Sequence, residues 1–433
     1  MPNTSLSLTS RRGSTGFFFF FFFWLLTLLS CGWVRADDPD RPRVELWTTA
    51  AERFTGELLA VESGQLTLQM GDQPQRTPWS SVWQIAMSPA PSRPPRPRFW
   101  LHLTNGDRVG VSSVKLSEDQ LEFQLPTQEL ALSLGVEFVA GVQPLRPGTS
   151  WKSDESEWFH VAHRSEKSDL VVLRNGDHQA GEVSEVGASG LQISGSLGTQ
   201  QLEWSAVSGL LLNPELAEIP PTPTEGWVVL LVDDSWLTVS TLETAKDRHL
   251  KLTTLQGIEM TIPLSSVRWL TRWGADVVLL SREEISEQAH TPWLGETREV
   301  ARDRNALGLP LRSDPATGSP ASGSATGMLP TLCPLGLGLT SGMTVRWKLE
   351  GRFRRFQCSV GLDAIADARG DAVLTVKVDD RPAQSITLRA SEPVVQSVSL
   401  DLTGAQSLTI ETGFGEHADS CDWINLYAPI LVR

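Results

Sequence analysis

The sequence has few of the residues that build a disulfide framework, a nucleic-acid surface or a catalytic centre. Its 433 residues include four cysteines and seven histidines, and 51 acidic side chains outnumber 37 basic ones, for a formal net charge of −14. Nucleic-acid binding needs clustered Lys and Arg, so this balance argues against a nucleic-acid partner. The sequence also has neither a phosphate-binding loop nor a nucleophile elbow. It therefore favours a non-enzymatic globular protein.

Long apolar runs are absent after the N-terminus. Residues 1–36 have the features of a signal peptide: Arg11 and Arg12 precede an apolar core of 14 residues (17–30), and Ala36 fits a small-residue cleavage site. The core is too short for a typical spanning helix. We therefore predict an extracytoplasmic protein (periplasmic, cell-surface or secreted) with no membrane span after cleavage. Retention as an N-terminal anchor and lipoprotein cleavage at Cys31 are the alternatives.

Cleavage after Ala36 leaves three cysteines, Cys333, Cys358 and Cys421. In an exported protein one pair could form a disulfide, and the sequence does not identify that pair. The alternative is that all three are small buried hydrophobic side chains.

Four copies of one pattern occupy residues 44–273. In the two clearest copies an apolar strand runs into Asn-Gly, a combination that predicts a type I′ hairpin turn. Sixteen residues after the turn, each copy begins a short alternating strand. The turn residues are Ala50, Asn105, Asn175 and Asp234, and the strands begin at Leu66, Leu121, Leu191 and Leu250. These offsets predict four hairpins with equivalent tips.

Each copy has the size at which a small β-barrel can close. The sequence therefore predicts tandem barrel-like repeats, which resemble SH3-like or Sm-like β repeats, at residues 44–88, 99–145, 169–213 and 227–273. Residues 274–292 are predicted to be a linker. The alternative is that the four copies pack pairwise into larger sandwiches.

Apolar and polar residues alternate again in residues 336–432. The alternation is clearest where Val345, Trp347 and Leu349 are interleaved with Thr344, Arg346 and Lys348. A period of two is typical of half-buried antiparallel strands, so this region predicts a β-sandwich and an all-β chain.

A series of motifs runs through the same region: RDRNALGLPLR (302–312), GLGLTSG (336–342), LEGRFRRFQCSVGLD (349–363), VLTVKVDDRP (373–382) and LDLTGAQSLTIETGFGEHADSCDWINLYAPILV (400–432). Their order and spacing resemble the NPCBM/NEW2 family of carbohydrate-binding modules. The resemblance implies that residues 293–433 form a galactose-binding-like jelly-roll β-sandwich that binds sugar without cleaving it. Thr340 stands where the family pattern has histidine, so any contact which that histidine makes in relatives is in doubt here.

Four residues near the C-terminus are candidate ligand contacts: His417, Asp419, Asp422 and Trp423. Trp423 could stack on a pyranose ring, although its place in the last alternating strand favours a core role. The other three could hydrogen-bond sugar hydroxyls or belong to a solvated loop. Weaker candidates for a structural calcium site are Asp363, Asp367 and Asp371, and no other cofactor is predicted.

We therefore predict an exported, non-catalytic binding protein whose C-terminal module recognises carbohydrate, either a galactose-type glycan or a cell-surface polysaccharide. The alternative is a structural scaffold of the cell envelope, which has lost the sugar site and contacts protein partners through its β repeats.

Overall fold

The structure, a computed structural model, describes residues 43–62, 64–71, 73–88, 96–117, 119–128, 130–148, 158, 167–245, 248–313, 332–367, 369–392 and 395–433. All of them lie in one unit that spans residues 42–433. The predicted signal peptide and Cys31 lie outside the described residues. Within the described part, no helix is both long and apolar enough to cross a membrane.

The first 21 strands fall into four sets, called units 1 to 4 here. Unit 1 contains β1 (Arg43–Thr48), β2 (Arg53–Glu62), β3 (Gln65–Met70), β4 (Gln73–Pro78) and β5 (Val82–Ser88). Unit 2 contains β6 (Phe99–Leu103), β7 (Arg108–Val111), β8 (Ser113–Ser117), β9 (Gln120–Gln124), β10 (Ala131–Gly135) and β11 (Val139–Pro144). Unit 3 contains β12 (Asp169–Leu173), β13 (His178–Val186), β14 (Gly190–Gly195), β15 (Gly198–Glu203) and β16 (Val207–Leu211). Unit 4 contains β17 (Gly226–Leu231), β18 (Trp236–Ala245), β19 (His249–Thr254), β20 (Glu259–Pro263) and β21 (Val267–Trp273).

Every unit has the same antiparallel connections. The first strand pairs with both the second and the last, and the remaining strands follow as a meander; β7 and β8 together replace the second strand in unit 2. Short 3-10 turns at Trp79–Ser81, Val136–Phe138 and Leu264–Ser266 precede the last strand of units 1, 2 and 4, and further 3-10 turns lie at Pro214–Leu216 and Leu280–Arg282.

The third strand of each unit is the short alternating strand that the sequence predicts. Its apolar residues are all buried in one core shared by the four units: Leu66, Leu68, Leu121, Phe123, Leu191, Ile193, Leu250 and Leu252. Alternation places these side chains on one face of the sheet, and hydrophobic burial then fixes the strand register.

The units are not closed barrels. Among the described residues, no pairing joins the fourth and last strands of a unit, and hydrogen bonds instead link all 21 strands into one sheet. The all-β prediction is confirmed, while the barrel-like form predicted for each repeat is wrong. The last strands take partners from other units, which is why a unit need not close on itself.

The units associate in pairs. Strand β5 of unit 1 lies antiparallel to β21 of unit 4, and β11 of unit 2 lies antiparallel to β16 of unit 3. Two single-residue pairings, Val186 with Leu116 and Trp236 with Arg108, add contacts between units 2 and 3 and between units 2 and 4. The copies therefore associate in pairs, but they join edge to edge in one sheet and do not form the larger sandwiches of the alternative.

The Asn-Gly turns differ from the predicted type I′ geometry. Gly106 and Gly176 have positive φ, of 89° and 91°, but Asn105 and Asn175 do not. In unit 2 the Gly106 amide donates to the Leu103 carbonyl, which makes a three-residue loop with glycine in the left-handed position.

Asp234 occupies the glycine position of this loop in unit 4. Its φ is 70°, and its amide donates to the Leu231 carbonyl as the Gly106 amide does to Leu103. The residue equivalent to Asn105 is therefore Asp233, one position before the predicted tip. Aspartate is among the few residues that tolerate this conformation.

The remaining strands form a two-sheet sandwich. They are β22 (Val277–Leu279), β23 (Glu287–His290), β24 (Ala301–Arg302), β25 (Leu311–Arg312), β26 (Leu332–Cys333), β27 (Gly336–Leu339), β28 (Met343–Lys348), β29 (Arg355–Leu362), β30 (Asp371–Val378), β31 (Arg381–Arg389), β32 (Gln396–Asp401), β33 (Ser407–Phe414) and β34 (Ile424–Val432). One sheet has the order β24-β27-β34-β29-β32 with β22 also on β34, the other β23-β28-β33-β30-β31, and β25 pairs with β26. The predicted linker 274–292 is wrong, because β22 and β23 lie within it and pair with sandwich strands.

The predicted alternation fills the sandwich core. Val345 and Trp347 on β28 are buried, whereas Thr344 and Arg346 are less so. Val345 and Trp347 pack with Phe356, Leu408 and residues of β34 in a core between the two sheets.

All nine residues of β34 are buried, because both of its faces are covered. Ile424, Leu426 and Leu431 face the sandwich core, whereas Tyr427 and Ile430 belong to a second cluster. That cluster includes Trp83 of unit 1 and Val228 and Trp273 of unit 4. The sandwich therefore packs directly against units 1 and 4.

All three cysteines of the predicted mature chain are free thiols. Cys333 and Cys358 are buried, and burial raises the pKa of Cys333 to about 12. The disulfide hypothesis is therefore wrong for this structure, and the alternative of small buried side chains holds for these two residues. Cys421 is partly exposed.

Candidate functional site

Loops meet at one end of the sandwich and form a surface that we call the rim. The rim consists of residues 291–300, 340–342, 363–367, 369–371 and 415–423. The Thr291 amide donates to the Gly342 carbonyl at 2.9 Å, and the Leu294 amide donates to Asp419 Oδ2 at 2.8 Å. The loop after β23 is thereby fixed against the loop that precedes β34.

Asp422 is the buried centre of the rim. It is 1% exposed, its Oδ1 accepts from the Asp371 amide at 2.9 Å, and its Oδ2 accepts from the Ser341 hydroxyl. These contacts bind three loops together. Because the carboxylate is buried, Asp422 orders the rim and does not face a ligand, unlike the direct contact predicted for it.

Asp371 and His417 form the neighbouring contact. Oxygens of the Asp371 carboxylate accept from the Glu416 amide at 2.5 Å and from His417 Nδ1 at 3.4 Å. Burial acts to raise the pKa of Asp371, but these hydrogen bonds outweigh it and hold the pKa below its usual value. The His417 side chain remains 51% exposed, so of this pair it is the one that solvent or a ligand reaches.

Trp423 is only partly buried, so it is not the fully buried core residue that its sequence position favours. The Arg298 guanidinium lies 5.4 Å from the centroid of its ring. This is a cation–π arrangement, which holds the ring and the loop 291–300 together.

Trp293 is the rim residue that sequence patterning did not identify as a ligand contact. It is 66% exposed and meets Phe414 edge to face, with ring centroids 5.8 Å apart. The available signal was a tryptophan between Pro292 and Gly295, in a segment with no strand periodicity. A large apolar side chain outside any strand or helix is less often buried in a core, so its exposure could have been expected.

A histidine does lie beside Thr340, but it is His290, the last residue of β23. His290 Nε2 lies 3.1 Å from Thr340 Oγ1 and 3.2 Å from the Ser341 carbonyl oxygen, while His290 Nδ1 accepts from the Arg298 amide at 2.8 Å. The acceptor role of Nδ1 places the proton of the neutral ring on Nε2, directed at Thr340 and Ser341. Thr340 itself is buried, so its side chain contacts His290 inside the rim and does not reach the surface.

The three calcium candidates are not brought together. Asp363 is buried and accepts from Asn425 Nδ2 at 2.6 Å, Asp367 pairs with Arg369 at 2.6 Å, and Asp371 contacts His417. Within the described part of the chain, no three His, Cys, Asp or Glu side chains form a group that could hold a metal ion.

The buried carboxyl of Asp422 predicts a specific pH dependence of stability. Burial raises its pKa from 3.8 to about 6, although hydrogen bonds from Ser341 and the Asp371 amide act to lower it. The folded protein therefore keeps this proton to a higher pH than the unfolded chain does. The carboxyl contributes most to stability below pH 4, and that contribution is lost as the pH rises to about 6.

The substitution Asp422→Asn removes this titration, because a side-chain amide does not ionise in this pH range. The amide oxygen can still accept from the backbone amide of Asp371. We expect the free energy of unfolding of the wild type, relative to Asp422→Asn, to fall between pH 4 and pH 7. The fall is on the order of 1 kcal/mol. Denaturant unfolding at both pH values measures it, and a difference that is the same at both would contradict the assignment.

The fold and the rim define a β-sandwich module with a loop-borne candidate binding surface. Residues 282–431 match the family model of the NPCBM/NEW2 domain, which confirms the resemblance that the motifs predict. The match begins inside the predicted linker, consistent with the place of β23 in the sandwich. No curated protein matches the chain.

Several solved structures are similar at low identity. The CBM51 module of Clostridium perfringens GH95, in complex with methyl-galactose, has 15% identity and a TM-score of 0.30, over 36% of this chain and 99% of that one. The tandem CBM51 modules of Sp3GH98, a family 98 glycoside hydrolase from Streptococcus pneumoniae, have 12% identity and a TM-score of 0.30, over 62% and 89%. The chain spans 43% of a structure of Clostridium perfringens ZmpB, comprising CBM51-2 in complex with GlcNAc and INT domains, at 13% identity and a TM-score of 0.31.

Proposed function

We propose that the C-terminal sandwich binds carbohydrate at the rim, and that the protein is an exported, non-catalytic binding protein. The observation that carries the proposal is the exposed Trp293 on an ordered loop of the segment that matches the NPCBM/NEW2 domain. A flat apolar ring surrounded by polar groups suits a pyranose, which has an apolar face and hydroxyl edges.

Polar groups near Trp293 complete the proposed surface. His417 is exposed, and Asp419 is held beside Trp293 by its hydrogen bond from the Leu294 amide. Both can bond sugar hydroxyls, Asp419 as an acceptor and the imidazole as a donor or an acceptor. The proposed ligand is a galactose-type glycan or a cell-surface polysaccharide, and its binding needs no cofactor.

Retention of the purified full chain on a glycan array tests this function. The full chain is required because the outer face of β34 packs against residues of units 1 and 4. We expect retention on at least one glycan that contains galactose or N-acetylgalactosamine, with release by the free sugar. A chain that stays folded and is retained on none of these glycans would overturn the proposal.

Exposed apolar residues of unit 3 and the segment after it favour a second candidate, the envelope scaffold. Leu197, Leu216 and Ile219 are all more than 70% exposed. Such residues are candidate protein contacts. The scaffold becomes the better proposal if glycan retention fails.

A further inference from the structure

A cavity of about 430 Å³ lies between units 2 and 3. Its walls come from β6 and β11 of unit 2, from β12 and β16 of unit 3 and from the segment after β16, and Arg304 contributes to it from the sandwich. The antiparallel pairing of β11 with β16 brings these walls together. None of the lining residues belongs to the rim. We call this space the side cavity, and its volume lies within the roughly 300–1,000 Å³ that is typical of small-molecule sites.

The interior of the side cavity is mainly apolar. Trp158 stacks on His102, with ring centroids 3.6 Å apart and planes inclined by 3°. Burial lowers the pKa of His102 well below its usual 6.5, and the positive charges of Arg108 and Arg304 lower it further, so the imidazole is neutral. The aliphatic part of the wall consists of Leu103, Val139, Leu170, Leu211 and Leu212. The interior therefore suits an uncharged, apolar part of a ligand.

Arg304 is the cationic side chain of the lining. It is exposed, and its Nη1 donates to the Gly308 carbonyl at 3.1 Å. Within the described part of the chain, no carboxylate lies within ion-pair distance of Arg304. Asp303, the preceding residue, accepts from the Gly336 amide at 2.9 Å. The guanidinium therefore keeps N–H donors for an anionic group at the edge of an apolar space.

Asp107, the acidic side chain of the lining, does not compete for such an anionic ligand's place. It is 2% exposed, and its Oδ1 accepts from the Thr238 hydroxyl at 2.7 Å. Its Oδ2 accepts from the Thr238 amide at 2.7 Å and from Asn105 Nδ2 at 2.9 Å. This carboxylate is thus committed to the contact between units 2 and 4. A cationic ligand would meet Arg304 without a free carboxylate to pair with, so the charges favour an anion.

We propose that the side cavity binds a small monocarboxylic acid with an apolar body. The carboxylate pairs with the Arg304 guanidinium, whose fork of N–H donors matches two carboxylate oxygens. The apolar body occupies the space between the leucines and the stacked rings of Trp158 and His102. This site is separate from the rim and goes beyond sugar binding.

Calorimetric titration of the full chain with matched acids and amides at pH 7 tests the side cavity. The pairs are benzoate with benzamide, phenylacetate with phenylacetamide, and hexanoate with hexanamide. Each amide has nearly the shape of its acid but no charge. We expect at least one acid to bind, at least about tenfold more tightly than its amide, because only the acid forms a charge-assisted pair with Arg304.

Two substitutions separate the charge from the space. Arg304→Gln should lower the affinity for the acid to that for its amide and leave the amide unaffected. Ala217 is exposed and lines the side cavity, so Ala217→Phe should obstruct it and weaken binding of both compounds by about tenfold or more. Arg354→Gln is the matched control, since Arg354 is also an exposed arginine of the sandwich but does not line this cavity.

Both test substitutions lie at exposed positions, so the free energy of unfolding should stay close to that of the wild type. Denaturant unfolding checks this. The proposal is wrong if none of the acids binds, if acid and amide bind equally, or if either Arg304→Gln or Ala217→Phe leaves the affinity for the acid unchanged. An equal loss with Arg354→Gln would also overturn it. These results do not depend on whether the rim retains a glycan.

Discussion

Replacing Trp293 with alanine should weaken glycan binding by about 30-fold or more. Trp293 is 66% exposed and supplies the proposed apolar platform of the rim. Aromatic side chains at the centre of a binding surface typically contribute about 2 kcal/mol or more, which corresponds to that change in affinity. Titration of the retained glycan into wild type and variant measures the effect.

Leu197→Ala is the matched control for this experiment. Leu197 is also an exposed apolar residue, 77% exposed, but it lies on the β14–β15 hairpin of unit 3. Its removal should leave glycan affinity unchanged. Equal affinities of wild type and Trp293→Ala would place the binding surface elsewhere, whereas an equal loss in both variants would point to a non-specific apolar effect.

Asp234→Asn should destabilise the protein by about 3 kcal/mol at pH 7. The Asp234 carboxylate contacts Arg268 at 2.8 Å and Arg312 at 3.5 Å, and the Arg312 side chain is only 2% exposed. Removing one partner of a buried ion pair typically costs roughly 3–5 kcal/mol. Asparagine keeps the left-handed backbone at φ 70°, so the change isolates the charge.

The sign of the pH dependence follows from the Asp234 pKa. Burial acts to raise this pKa, but Arg312, Arg268 and Arg108 outweigh it and hold it below the ordinary 3.8. The carboxylate therefore stabilises the fold above pH 4, and this contribution is lost as the pH falls through the lowered pKa. The penalty of Asp234→Asn should shrink accordingly in acid.

The adjacent Asp233 supplies the control. Burial raises its pKa, and its Oδ1 accepts from the Ser235 amide at 2.9 Å, a bond that asparagine can also accept. Asp233→Asn should therefore leave the free energy of unfolding unchanged or raise it at pH 7. Denaturant unfolding followed by tryptophan fluorescence compares the two variants, and equal destabilisation by both would refute the ion-pair account.

The strands of the fold could be predicted from local pattern. Leu66 and Leu68, or Val345 and Trp347, alternate with polar neighbours, and burial of one face enforces that alternation in the folded chain. The family motifs likewise located the sandwich, because they span its strands from β25 to β34.

The association of the units could not be predicted. Pairing of β5 with β21 joins residues about 185 positions apart, and no local pattern records which edges meet. The continuous burial of β34 has a related origin, since Tyr427 and Ile430 belong to a cluster that joins residues of the C-terminal part, such as Leu311, to Trp83 of unit 1 and Trp273 of unit 4.

The sequence located the rim but not the roles of its residues. His417, Asp419, Asp422 and Trp423 do lie at one end of the sandwich, yet Asp422 is buried between Ser341 and Asp371. Composition does not distinguish a carboxylate that orders a loop from one that meets a ligand, because the difference depends on which distant backbone amides reach it. Trp293 lacked a periodic context and was therefore not assigned to the site.

The most direct test of rim binding is a crystal structure of the full chain with the glycan that the array retains. The account predicts a sugar ring stacked on Trp293 within about 4.5 Å, with hydroxyls bonded to Asp419 or His417. A ring bound on another face of the sandwich, with the indole of Trp293 left in solvent, would contradict it.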